Sequence, residues 1–151
     1  YIEALVDSYM VYRVNRYDIK GKEFLKTQEK YYAVDIGFRY QLLGQKAGRD
    51  MGHILENIVY LELLRRGYKV YIGKLGDLEV DFVAQNEQNT IYYQVALTTR
   101  EESTIKRELL PLQKINDNYP KYILTMDEDL DADYEGIKKI NVIDWLLYEE
   151  K

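Results

Sequence analysis

The sequence predicts a mixed α/β fold: a sheet of parallel and antiparallel strands with helices on both faces, and a long β-ribbon ahead of it. Three observations predict it. The stretches "YKVYIGK", "LEVDFVA" and "TIYYQVALT" follow one another closely, each alternating with the two-residue period of a strand. Helix-periodic segments stand on either side of this meander, "DMGHILENIVYLELLRRG" before it and "REESTIKRELLPLQKINDN" after it. Upstream, residues 11–34 alternate around one turn signal, Lys20-Gly21.

Composition narrows the class of protein. At 151 residues with 46% hydrophobic side chains, the chain is one domain, or one domain with a small appendage, and is long enough to bury a core. With no cysteine, disulfide frameworks and thiolate metal sites are excluded, and the one histidine argues against a histidine-built metal site. No segment approaches the roughly 18 apolar residues of a membrane span, so no membrane partner and a cytoplasmic location are expected. The net charge of −5 disfavours non-specific duplex binding by the whole surface, while leaving room for a local basic patch. The 16 tyrosines read first as core-edge rings whose hydroxyls reach water, and only second as base-stacking platforms.

In chain order, "YIEALVDSYMVYRV" opens inside an amphipathic pattern, as a piece of a longer protein would. Ile2, Leu5 and Val6 form one helical stripe. The ribbon 11–34 follows and is expected to project from the core. A helix leading into a long two-stranded ribbon is how a winged-helix unit ends, so residues 1–34 are expected to be that end and residues 35–151 a separate domain. Lys20, Lys22, Lys26 and Lys30 decorate the ribbon. They read as a solvated hairpin or as phosphate-contacting residues of a nucleic-acid-binding wing.

Asp35 can cap a short helix that Gly44 can end, and "QKAGRD" is a loop. In the next helix Asp50 is the expected cap and Gly67 the terminator. Met51, Ile54, Leu55, Ile58 and Leu61 share one face at about 100° per residue. Val59, Tyr60, Leu63 and Leu64 cover much of the rest, so the helix is expected to be buried on more than one side. Glu56 falls on the Val59 and Leu63 side, where a carboxylate must be partnered or face a cleft. Strict alternation puts Leu78, Val80 and Phe82 on one face of the next hairpin and Glu79, Asp81 and Val83 on the other. The four-residue connection "NEQN" pairs this strand antiparallel with residues 91–98, where Tyr92, Gln94 and Ala96 share a face. A helix with an internal Pro111, a short apolar strand, an acidic loop "DEDLDADYEG", a last strand and a short helix complete the chain. The acidic loop lacks the glycine and glutamate of a calcium loop and reads as solvated.

Metal-dependent phosphodiester cleavage needs carboxylates around a divalent ion and benefits from a lysine beside the attacking water. A hairpin with an acid on its first strand and an acid-x-lysine pair on its second supplies both, since i and i+2 share a face. Glu56, Asp81 and "YYQVA" stand at the corresponding places. The chain from about Asp35 onward thus resembles the PD-(D/E)XK, or restriction-endonuclease-like, fold. Taken together, "KYYAVDIGFRYQLLG", "GHILENIVYLELLRRGYKVYIGK", "EVDFVA" and "YYQVALT" resemble the C-terminal nuclease-like domain of bacterial and archaeal AAA-type ATPases, in which an ATPase module and a winged helix come first. That resemblance implies a relic catalytic set of Glu56, Asp81 and Gln94, with Ala96 at the lysine position. It implies at best weak Mg²⁺ binding by Glu56 and Asp81, and ATP only in a preceding module. DNA and the chain's own ATPase module are the implied partners.

Gln94 brings no charge to a metal and Ala96 brings no cation. Losing one well-placed electrostatic stabiliser costs about 3–4 kcal/mol of barrier. A non-catalytic interaction module is therefore the first expectation, and a metal-dependent DNA nuclease with a rearranged site the alternative. A purely structural domain is the third. Arg100, Lys106 and Arg107 are the cations nearby in sequence that a rearranged site would draw on. In a structural reading Glu56 pairs with Arg65 or Lys69, Asp81 faces solvent, and His53, Glu62, Arg65 and Arg66 are helix-surface groups.

Overall fold

The computed structural model describes residues 1–43 and 50–148. The elements in order are α1 (Ile2–Asp7), β1 (Val11–Asp18), β2 (Glu23–Ala33), α2 (Ile36–Leu43), α3 (Met51–Arg65), β3 (Lys69–Leu75), β4 (Leu78–Gln85), β5 (Thr90–Ala96), α4 (Glu102–Gln113), β6 (Lys121–Thr125), β7 (Ala132–Tyr134), β8 (Ile137–Asn141) and α5 (Val142–Leu147). The expected terminator Gly44 and most of the "QKAGRD" loop lie outside the described residues. No helix among the described residues is long and apolar enough to cross a membrane.

The strands form one mixed sheet in the order β2-β1-β3-β4-β5-β6-β8-β7. The meander is as the alternation predicts: β3–β4 and β4–β5 are antiparallel, and β6 then joins β5 in parallel. Helices cover both faces. Leu55, Val59, Tyr60 and Leu63 of α3 pack with Val70, Ile72, Phe82 and Tyr93 on one side. Leu109 and Leu112 of α4 pack with Val80, Val83, Tyr92 and Ile123 on the other. Burial at about 25 cal/mol per Å² of apolar surface is the main force holding these layers. Helix α4 runs through Pro111 and ends two residues later. The missing N–H of Pro111 forgoes one intrahelical bond, to the carbonyl of Arg107.

Several expectations are corrected. The ribbon does not project. β1 pairs antiparallel with β2 and parallel with β3, through Arg16↔Ile72, Tyr17↔Gly73 and Asp18↔Lys74. Val14 and Tyr32 of the ribbon are buried in the α3 core. The most buried side of α3 carries Leu55, Glu56, Val59, Tyr60 and Leu63, whereas Met51 of the predicted stripe is exposed. Asp35 caps α2 as expected, accepting the Phe38 N–H at 2.9 Å. Asp50 makes no side-chain cap bond. Its carboxylate lies 3.7 Å from both Arg39 and His53.

Gly67 does terminate α3. It has φ +85°, and Gly67 N–H→Leu64 O and Tyr68 N–H→Leu63 O complete a Schellman motif. Arg66 is not a surface charge. Its guanidinium lies over the Trp145 ring at 4.3 Å, donates to Trp145 O at 2.6 Å and pairs with Glu62, tying α3 to α5. The acidic stretch is not simply solvated. Residues 132–134 form β7 against β8, and buried Asp127 accepts from Thr98 Oγ1 at 2.6 Å and Thr99 N–H at 2.8 Å.

Candidate functional site

Strand β4 carries one residue too many for strict alternation. Its register with β3 moves from Tyr71↔Val83 to Gly73↔Val80, two steps on β3 against three on β4. The extra residue is a β-bulge, which re-aims side chains. Val80 and Val83 therefore both face the α4 core, and Phe82 faces the α3 core, so the predicted shared face of Val80 and Phe82 is not formed. Asp81 sits in the bulge.

At the same point β4 parts from β5. Their ladder runs from Gln85↔Thr90 to Phe82↔Tyr93. One residue on, side chains replace it. Gln94 Oε1 accepts the Asp81 N–H at 2.7 Å, and Asp81 Oδ2 accepts the Val95 N–H at 2.8 Å. Each residue thus satisfies backbone that the separating strands leave unpaired. Buried Gln94 also donates through Nε2 to Glu108 Oε2 of α4 at 3.3 Å, and Arg107 covers Glu108 at 3.0 Å. Ala96 is buried and contributes no polar group.

On the α3 side, Glu56 is buried and faces the ribbon. Tyr32 OH donates to its Oε1, Lys30 Nζ lies 3.3 Å from the same oxygen, and His53 Nδ1 lies 3.5 Å from Oε2. Lys30 reaches further, to Glu79 Oε1 at 2.7 Å, and Arg16 holds Glu79 Oε2 at 2.5 Å. Glu56 pairs with neither Arg65, which bonds Glu62, nor Lys69. Lys30, Tyr31, Tyr32, Arg39, His53 and Glu56 border an open cleft of about 250 Å³.

The electrostatics follow from this crowding. Burial first, and the charge of Glu56 second, push the half-buried Asp81 carboxyl up to about 8, against the Val95 N–H and Lys30. Burial resists ionisation of Glu79, but the hydrogen bond and charge of Lys30, then those of Arg16, hold it below the usual carboxylate range. Burial works against the Lys30 ammonium too, yet Glu56, Glu79 and Asp81 together raise its pKa. Burial and the neighbouring Glu56 raise the Tyr32 hydroxyl far above its ordinary value, so it acts as a donor throughout the working pH range.

Asp81 is therefore brought against Gln94 and near the charge of Glu56, and Ala96 is buried two residues beyond Gln94 on β5. Lys20, Lys22 and Lys26 are exposed on the ribbon, but Lys30 turns into the acids and is not part of a solvated lysine row. None of the cations weighed downstream takes its place: Arg100 meets Asp127 and Asp129, Lys106 meets Glu102, and Arg107 meets Glu108. Sequence reasoning missed Lys30, Tyr32, Glu79, Arg16 and Glu108 as members of the cluster. The signal for the first two was present, since positions 30 and 32 share a strand face. The donor set fits a divalent ion poorly. One Asp81 oxygen and the Gln94 carbonyl are spent on backbone, Lys30 stands between Glu56 and Glu79, and no metal-binding trio of acids or histidines occurs among the described residues.

No protein-family model matches the chain, and no solved structure matches it. It is 42% identical over 147 residues to an uncharacterized protein of Haemophilus influenzae, covering 97% of this chain and 36% of that protein. It is 29% identical over 151 residues to the uncharacterized protein MJ1544 of Methanocaldococcus jannaschii, covering 95% of this chain and 32% of that protein. The chain spans about a third of the length of the curated relatives it matches.

Proposed function

We propose that this chain is a restriction-endonuclease-like domain that binds rather than cuts, serving an AAA-type ATPase as a nucleic-acid- or protein-interaction module. One observation carries the reading: Glu56 and Glu79, two acids at the nuclease-like site, already have counter-charges from within the chain. Lys30 lies 3.3 Å from Glu56 and 2.7 Å from Glu79, and Arg16 takes the other Glu79 oxygen. A site that supplies its own counter-charges has little left with which to attract a divalent ion. The splayed strands at Asp81 and Gln94 support the nuclease-like part of the reading, and the longer relatives leave room for an ATPase module.

The same lysine favours a second reading, a metal-dependent DNA nuclease with a rearranged site. Lys30 brings a cation to Glu56 and Glu79 where Ala96 supplies none. Cleavage assays on duplex, branched and single-stranded DNA with Mg²⁺ and Mn²⁺ separate the two. The binding module predicts no cutting that depends on Asp81. Metal-dependent cutting abolished by both Asp81→Ala and Lys30→Met establishes the second reading and overturns the first.

A further inference from the structure

A larger cleft, about 530 Å³, opens on the α4 side of the sheet, away from Asp81 and Glu56. That volume lies within the range of about 300–1,000 Å³ for small-ligand sites. Its walls combine two chemistries. Lys20 and Lys22, from the β1–β2 turn, and Lys114, from the end of α4, supply ammonium groups, all three on exposed residues. Tyr17, Tyr92 and Tyr119 supply rings, of which Tyr119 is exposed and Tyr92 buried. Asp117 is the one carboxylate among the described residues of the lining, and it is already engaged. It accepts from Tyr92 OH at 2.6 Å and from Lys121 Nζ at 3.1 Å. The cleft therefore presents positive charge beside aromatic faces in a protein of net charge −5.

The lysine-bearing turn is built in advance. The Asp18 carboxylate accepts the Lys20 N–H at 3.0 Å, and the Asp18 carbonyl accepts the Lys22 N–H at 2.8 Å. A Cβ on Gly21 would come within 2.7 Å of that carboxylate, so glycine lets Asp18 brace the turn. Flexible ammonium groups suit phosphate oxygens, and a tyrosine face suits a base. We propose that this cleft binds an aromatic base carrying phosphate, either a free nucleotide or a nucleotide unit of a single strand, with Tyr119 stacking on the base and Lys20, Lys22 and Lys114 holding phosphate. The site shares no residue with the Asp81 cluster, so it stands whichever way the cleavage assay falls.

The test is fluorescence anisotropy with the 151-residue chain and a labelled oligothymidylate, an abasic strand of the same backbone, and thymidine monophosphate as competitor, at about 50 and 200 mM salt. Tyr119→Ala weakens oligothymidylate binding by about fivefold to 150-fold while Tyr119→Phe retains it, the range that stacking of about 1–3 kcal/mol per base gives. The triple change Lys20→Ala, Lys22→Ala, Lys114→Ala flattens the log–log salt slope by about 2, at about 0.7 per phosphate contact on a single strand. Displacement by the mononucleotide identifies a nucleotide site. Failure of the mononucleotide to displace a strand that still needs Tyr119 identifies a strand site. Unchanged melting temperatures establish that these exposed changes leave the fold intact. The proposal is overturned if neither ligand binds at the lower salt, if the abasic strand binds as tightly as the base-bearing one, or if both sets of variants bind like the parent.

Discussion

At Asp81 the conflict between folding and charge is concentrated in one carboxyl group. Its neighbours are Glu56 from α3, Lys30 from β2 and Glu108 from α4, and its own Oδ2 is held by the Val95 N–H. Unfolded, Asp81 titrates near its ordinary 3.8; folded, near 8. The folded state thus holds the proton more tightly. Between those values rising pH removes stability, because folding must take up a proton that the unfolded chain has lost, and above about 8 it must instead hold a charge among other acids. Below about 4 the group is protonated in both states and the penalty vanishes. Asp81→Asn keeps an oxygen for the Val95 N–H and removes the charge. Thermal unfolding in EDTA should therefore show the variant melting above the parent at pH 8, with the gain shrinking toward pH 4. In a chain of this size each kcal/mol reads as about 2–4 °C. A difference in melting temperature that does not change with pH contradicts this account. Gln94 shows the complementary case: a neutral amide joins the cluster at no cost in charge, accepting one backbone N–H and donating to Glu108.

Among the elements, the bulge in β4 decides where Asp81 stands, and Gly73 makes the bulge possible. With Val80 and Val83 both turned to the α4 side, β3 must leave room beside them. A Cβ on Gly73 would lie 2.9 Å from Ile19 Cδ1, 2.9 Å from Val80 Cβ and 3.0 Å from Val83 Cγ2. Gly73→Ala should cost about 1–3 kcal/mol, in the manner of an overpacked core. Because it presses on both sides of the bulge, it should also speed amide exchange at Asp81 and Val95 relative to Phe82. Denaturant unfolding and amide exchange by NMR check both parts, and an unaltered midpoint with unaltered protection at Asp81 rules the explanation out. The bulge also marks the limit of what the sequence revealed. Helix α3 and the β4–β5 hairpin were legible because their periods, 3.6 and 2, are local, and because Asn86 closes its turn by accepting the Gln88 and Asn89 N–H groups. An inserted residue has no period of its own. The alternation of "LEVDFVA" therefore placed Val80 and Phe82 on one face, and the structure places them on opposite ones.

For the whole molecule, the decisive contact is the short parallel pairing of β1 with β3, which joins the ribbon to the sheet. It was illegible for a physical reason: three residue pairs link segments more than 50 positions apart, and no local pattern encodes which edge a ribbon will choose. Lys30 was misplaced as a consequence, since its inward turn makes sense only once β2 lies above Glu56. The same contact argues against treating residues 1–34 as dispensable. Tyr32 stacks on Tyr60 at 4.6 Å and packs against Phe82 at 5.6 Å, and its hydroxyl, with Lys30, partners buried Glu56. Removing the ribbon would leave that carboxylate without Lys30 and Tyr32, open the core over Phe82, and bare the β3 edge where Val70 and Ile72 are buried. Breaking a buried charged pair alone costs about 3–5 kcal/mol, less where a partner is part-exposed as Lys30 is, against a total stability of about 5–15. A chain of residues 35–151 should therefore lose its cooperative thermal transition, or persist only as oligomers joined along the exposed β3 edge. Circular dichroism melts and size-exclusion chromatography of both lengths provide the check. A monomeric 35–151 chain with a sharp transition near that of the full 151 residues would show that residues 35–151 fold without the ribbon, and that Lys30 and Tyr32 serve the site rather than the fold.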